Sequence, residues 1–324
     1  MNPSKAVVVL VGPTGSGKTA VALHLARRLD AEVISADSRQ VYRRLSAGTA
    51  KPDGEWRNDA RHPLGRYYDV DGVPHHLLDV LDPTETFSAA DFARRAETVL
   101  AALSAAGRRA ILAGGTGLYL KALVDGLAPL PARDEALRRE LTDYAASKGR
   151  PALHAELARV DPDAAARIPP NNIARVVRAL EVFRLTGRPL SRWQKEETRP
   201  SARRFAWFGL RWPKDALRRR LDDRCAAMVP GLLRETSSLL REGLTADAPA
   251  FQPLGYREAV RHLRGELTRA AFEELFRRAT RAYVKRQLTW FGADRRVAWL
   301  DVREPFDAAA LAADLARALP RGEN

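Results

Sequence analysis

The pattern of apolar and polar positions changes character twice along the chain. Residues 5–11 read as a buried strand, since after Lys5 the chain is apolar up to a glycine-rich turn. From 18 to 29 alanine and leucine recur at helical spacing. A second strand is expected at 32–36, a helix capped by Ser88 at 86–106, and a third strand at 108–113. Short apolar strands alternating with helices imply a mostly parallel sheet. Between 133 and 200 only helical patterns occur, punctuated by Pro151, Pro162, Pro169 and Pro170. Sheet character returns at 205–210, helices follow at 214–242, 256–264 and 268–292, and a last strand is expected at 297–302. No internal repeat is visible, and the final RGEN is expected to fray.

Composition narrows the class. Apolar residues make up 45% of the 324, enough for one large α/β domain and a smaller one. The single cysteine, Cys225, excludes an intrachain disulfide and a cysteine-based zinc cluster, and suits a reducing compartment. No apolar run reaches the roughly 18 residues of a membrane span. MNPSK leads directly into the first strand, so a cytoplasmic protein without a signal peptide is expected. Lysine and arginine total 54 against 40 acidic residues, a net charge of +14. That excess suits an anionic partner such as nucleic acid, a membrane surface or a phosphorylated substrate. An arginine- and alanine-rich composition bias is the plainer alternative.

The first chemistry-bearing segment is GPTGSGKT, from Gly12 to Thr19. It fits G-x-x-x-x-G-K-[ST] and has a strand before it and a helix after it, as a phosphate loop requires. Glycines let backbone N–H groups converge on phosphate oxygens, and the helix adds its positive end. Lys18 is suited to the terminal phosphate, and the Thr19 hydroxyl to Mg²⁺. The fold class expected is therefore a P-loop NTPase-like, mostly parallel sheet flanked by helices, with an all-helical insertion. Hydrolases and kinases share this loop. The third strand, however, runs into Gly114-Gly115-Thr116-Gly117 rather than into a metal-binding acid, which makes ATP hydrolysis the weaker reading.

Asp37 and Ser38 follow the second strand, at the strand ends where ligands sit in open α/β sheets. A carboxylate there can take a proton from an attacking group. It can equally cap a helix, and the residues alone leave both open. His75 and His76 invite a metal reading. With six histidines and no compact carboxylate–histidine cluster evident in the sequence, structural or surface roles fit them better.

The segments GPTGSGKT, ISADSRQVYRRLSAGTAKP, GVPHHLLDV, AGGTGLYLKAL, LPARDEALRREL, NNIARVVRALEVFRLTGRPLS, LDDRCAAM, QPLGYREAV and KRQLTWF occur in that order. Together they resemble the tRNA dimethylallyltransferase family over nearly the whole chain. The resemblance implies transfer of a five-carbon prenyl group from dimethylallyl diphosphate to the exocyclic amine of the adenosine just 3′ of the tRNA anticodon. The loop would then hold diphosphate rather than ATP. Gly12, Thr14, Gly15, Ser16, Gly17, Lys18 and Thr19 match the diphosphate loop, with Mg²⁺ at Thr19 and Arg224 on the same group. Asp37 matches the general base. Asp37, Ser38, Arg39, Gln40 and Thr116 match positions that meet the target nucleotide.

Asn172, Arg175 and Arg178 match a helical segment that meets RNA, and Lys285 and Arg286 lie in a basic stretch suited to RNA phosphates. The resemblance divides the chain into a catalytic core, 1–132 and 201–324, and an insertion at 133–200 that grips the anticodon stem-loop, in a monomer that uses no membrane. Three departures stand out. Gly15 replaces a frequent alanine, Asn172-Ile173-Ala174-Arg175 replaces Asp-x-Gln-Arg, and Gly292 replaces a common arginine whose contact Arg295 or Arg296 could supply. Trp290 and Phe291 read as core residues, and Gly255 as a tight turn near the site. A small-molecule kinase, a non-catalytic RNA binder and a prenyltransferase acting on free adenylate are the rival readings. The helical insertion and the basic charge favour tRNA.

Overall fold

A computed structural model describes residues 6–319; the RGEN terminus lies outside them. The chain forms two compact units. One ends at Val124 and resumes at Ala202, and the other spans Asp125–Ser201. The second unit starts before the helical pattern does because an extended stretch packs within it. The Pro131 carbonyl accepts from Arg178 (2.8 Å), and the Asp134 amide donates to the buried Glu181 (2.8 Å).

The first unit is built on an eight-stranded sheet. Its strands are β1 (Val7–Val11), β2 (Ala31–Ser35), β3 (Glu55–Asn58), β4 (Arg66–Val70), β5 (Val73–His76), β6 (Arg109–Gly114), β7 (Phe205–Arg211) and β8 (Ala298–Asp301). Their order is β3-β4-β5-β2-β6-β1-β7-β8. Neighbours from β5 to β8 run parallel, while β3, β4 and β5 form an antiparallel edge. The helices of this unit preceding the second are α1 (Lys18–Leu29), α2 (Ala89–Ala105) and α3 (Gly117–Val124). The second unit holds α4 (Glu135–Lys148), α5 (Arg150–Val160), α6 (Pro162–Arg167), α7 (Ile173–Thr186) and α8 (Leu190–Glu197). The sheet unit resumes with α9 (Lys214–Arg241), α10 (Tyr256–Leu263), α11 (Arg269–Gly292) and α12 (Ala308–Ala318). None of the described helices is long and apolar enough to cross a membrane.

The apolar run of β1 is explained by its two covered faces. Val8 and Leu10 join Val21 and Leu25 of α1 and Leu311 and Leu315 of α12. Val7, Val9 and Val11 join Phe92, Leu100 and Leu103 of α2 and Leu120 of α3. Each such side chain contributes about 1.5–3 kcal/mol on burial. The register then sets up the site. Val11 pairs with Gly114, and Ser35 with Ala113, so β1, β6 and β2 end level with one another.

The edge strands β3–β5 carry no plain apolar alternation. β3 is polar and mostly exposed, and β5 is Val-Pro-His-His with both histidines buried. Hydropathy reads histidine as polar; His75 is held by the Val73 carbonyl of its own strand (2.9 Å), and His76 by a tertiary partner. His62 and His76 both point Nε2 at the Glu32 carboxylate, at 3.0 and 2.6 Å, and Arg108 reaches it at 2.6 Å. A compact carboxylate–histidine cluster therefore does exist, contrary to the sequence reading, assembled from positions distant along the chain. It is built as a hydrogen-bonded anchor rather than a cation site. The Leu64 amide donates to His62 Nδ1 (3.2 Å), which leaves the ring proton on Nε2, where it faces Glu32. Burial acts to raise the Glu32 pKa, but bonds from His76, Arg108 and His62 outweigh it and hold the carboxyl below its usual range.

Candidate active site

The level ends of β1, β6 and β2 present three loops to one cleft, as expected of strand ends in an open α/β sheet. The cavity measures about 250 Å³. Thr14, Gly15, Gly17, Lys18 and Thr19 line one side of it, with Arg220 and Arg224 of α9. Asp37, Gln40, Thr49 and Ala50 line another, and Ala113, Gly114 and Gln287 complete the wall.

The first loop has the conformation that its glycines permit. Gly17 sits at φ +85° at the start of α1, and a Cβ there would strike the Phe306 ring, so only glycine fits. Gly12 and Ser16 lie behind the lining, fully buried, with the Ser16 carbonyl accepting from Trp212 Nε1 at 3.0 Å. Lys18 Nζ donates to the Pro13 carbonyl at 2.7 Å. Burial pulls the Lys18 pKa down to about 8, although Asp37 works to raise it and Arg224 lowers it further. Burial likewise lowers Arg224, partly countered by Asp37. Lys18, Arg220 and Arg224 thus share the site with one carboxylate, Asp37, an arrangement that favours an incoming polyanion.

The second loop is held open by its own backbone. Asp37 Oδ1 accepts from the Arg39 amide at 2.9 Å. Thr116 Oγ1 accepts from the Ser38 amide at 3.0 Å, which ties the β2 and β6 loops together. Gln40 is fixed by Ser35 (3.0 Å) and the Ala50 carbonyl (3.2 Å). Arg39 stacks on Tyr283 at 4.4 Å, and Arg286 approaches the same ring at 5.6 Å. Lys285 and Arg286 are exposed on α11. Beneath the loop, Tyr256 donates to Glu235 (2.6 Å) and accepts from the Gly48 amide (3.1 Å), with Gly255 at φ +91° opening α10.

Asn172, Arg175 and Arg178 belong to the helical unit, where the two arginines differ in their surroundings. Arg175 is exposed, whereas Arg178 donates to Glu181 (2.7 Å) and to Pro131. Glu181 is fully buried and also receives Arg138 (3.3 Å), so Arg178 has a structural duty.

Three participants escaped the sequence reading. Arg220 Nε donates to the Gly15 carbonyl at 2.7 Å while its guanidinium lies against Trp212 and Phe306. It sits in a run of three arginines that gives no hint of which one turns inward. Tyr283 is the ring between Arg39 and Arg286. Gln287 bridges two loops; its signal was a polar residue on the apolar stripe of α11. The reading of Trp290 as core is corrected: Phe291 is buried, but Trp290 is 39% exposed, its indole lying over Gly117 so closely that a Cβ there would strike it.

A phosphate loop on a mostly parallel sheet, faced by a carboxylate and two cations but followed by a glycine-rich third strand end, defines a P-loop protein of the group-transfer kind. The family model described as IPP transferase matches residues 40–295, and that described as isopentenyl transferase matches 5–62. The tRNA dimethylallyltransferase 1 of Trichlorobacter lovleyi is 45% identical over 91% of this chain and 93% of its own. The tRNA isopentenylpyrophosphate transferase of Bacillus halodurans is 38% identical in its crystal structure, with a TM-score of 0.66 over 97% of both chains. A eukaryotic dimethylallyltransferase crystallised acting on tRNA is 25% identical, with a TM-score of 0.71 over 98% of this chain and 81% of its own. The chain belongs to the tRNA dimethylallyltransferase family.

Proposed function

We infer that this protein transfers the dimethylallyl group of dimethylallyl diphosphate to the N6 amine of the adenosine 3′ to the anticodon in tRNA. The observation that carries the reading is one cavity lined by the glycine-rich loop, Lys18 and Arg224 together with Asp37. The diphosphate would lie along Thr14–Thr19 and over Lys18 and Arg224. As the allylic carbon leaves, charge gathers on the bridging oxygen, and those fixed cations and amides stabilise it without reorganising. The adenine amine is a weak nucleophile because its lone pair is delocalised into the ring. Asp37 takes its proton as the C–N bond forms and the C–O bond breaks, releasing diphosphate. The enclosed cleft keeps water from the electron-poor carbon.

Hard oxygen donors suit Mg²⁺, and the Thr19 hydroxyl at the start of α1 beside the phosphate loop fits that role. When bound, the ion would neutralise diphosphate charge. An adenine stacked in an RNA loop must be turned out to reach the cleft. Ser38, Arg39, Gln40 and Thr116 would receive it, and Lys285, Arg286, Asn172 and Arg175 would meet the anticodon stem-loop.

Mass analysis of unmodified tRNA after incubation with dimethylallyl diphosphate tests the proposal. One prenyl mass gain at an anticodon-loop adenosine is expected. ATP consumption without that gain would refute it.

A further inference from the structure

Helix α11 turns an amide into the core. Its buried stripe is Phe272, Phe276, Thr280, Val284, Gln287 and Phe291. Gln287 is 4% exposed, and a primary amide there is tolerable only if both of its ends are paired. Oε1 accepts from the Thr14 amide at 2.9 Å, and Nε2 donates to the Gly115 carbonyl at 2.9 Å. A Cβ at Gly115 would run into Nε2, so glycine is needed for the approach. Glutamate would lack the donor, methionine would lack both groups, and asparagine would lack the reach.

The two peptides so joined lie on loops that serve different ends of the cleft. Thr14 opens the phosphate loop. Gly115 precedes Thr116, which holds the Ser38 amide beside Asp37. The ladder between β1 and β6 ends at Val11 and Gly114, so the sheet itself fixes nothing between the loops beyond that pair. We propose that Gln287 is the positioning residue that sets the separation between the diphosphate loop and the acceptor side of the cleft. This role rests on the transfer reading above. It places the allylic carbon and the amine at reactive distance, a geometry whose loosening by about 1 Å costs on the order of 10²-fold in rate.

The test uses two variants that break the same clamp from opposite sides. Gln287→Met keeps the volume and removes both bonds. Gly115→Ala displaces the Gln287 amide while removing no polar side chain. Single-turnover transfer rates at saturating substrates are compared with dissociation constants for inorganic pyrophosphate and for tRNA. Each variant should slow transfer by about 10- to 100-fold, with both constants within about threefold of wild type. The double variant should be no slower than the slower single one, because one clamp cannot be lost twice. A wild-type rate in Gln287→Met, rate losses that multiply in the double variant, or a loss confined to pyrophosphate affinity would each overturn the proposal. If Gln287→Met does not fold, Gly115→Ala decides on the same criteria. Wild-type protein that fails to prenylate tRNA would overturn the transfer reading and this role with it. Wild-type transfer matched by the variants would sink the clamp alone.

Discussion

Lys18 offers a direct handle on diphosphate recognition through pH. Desolvation in the cleft lowers its pKa to about 8. A bound diphosphate favours the ammonium, so binding is strongest where Lys18 is already charged. Affinity should be full below pH 8 and fall as pH rises through it. If only the charged form binds, the apparent dissociation constant scales as one plus the ratio of neutral to charged lysine, which gives a weakening of roughly 30-fold between pH 7 and pH 9.5. Calorimetric titration with dimethylallyl diphosphate, without tRNA so that nothing reacts, measures this at fixed ionic strength. Lys18→Arg is the control, since guanidinium keeps its charge throughout that range and its profile should be nearly flat. A flat profile in the wild type, or an equal fall in Lys18→Arg, would show that the Lys18 ammonium does not set the pH dependence of diphosphate binding.

Asp37→Asn keeps the side chain's size and loses its basicity, so single-turnover transfer should slow by roughly 10² to 10⁴ while tRNA and diphosphate affinities change little. A near-wild-type single-turnover rate would remove Asp37 from the proton transfer. The two arginines of α7 should behave differently. Arg175→Ala should leave thermal unfolding unchanged and lower the slope of log affinity for tRNA against log salt by roughly 0.7 to 0.9. Arg178→Ala should destabilise the helical unit by about 1.5–3 kcal/mol, because it strips one charged donor from the buried Glu181, which keeps Arg138 and the Asp134 amide. Denaturant unfolding and filter binding over a salt series separate the two, and matching behaviour of the pair would contradict the distinction drawn here.

Much of the sheet was legible in the sequence because its central strands are covered on both faces. Burial on both sides demands the unbroken apolar runs seen at Val7–Val11 and, after Arg109, over residues 110–113. The antiparallel edge was not legible. Its strands are short or exposed, and its buried His76 depends on Glu32, which lies on another strand. Helix α12 also went unread: its alanine-rich pattern is weak, and its leucines acquire meaning only against α1.

The phosphate loop is local chemistry. Its glycines, lysine and threonine act within a single turn of chain, so their order alone specifies the conformation and the ligand class, and Asp37 follows from its place beyond a strand. The other walls of the cleft are decided by contacts that no local pattern encodes. Arg220 reaches the Gly15 carbonyl from a run of like residues, Gln287 joins two loops from a third element, and Arg178 is claimed by a buried glutamate. A long polar side chain sweeps a wide volume, and the sequence leaves its direction open until packing closes every alternative. For this protein the sequence determined the loop and the order of the strands' chemistry, while the tertiary structure decided which polar side chains turn inward, because only there are the partners that make burying them affordable.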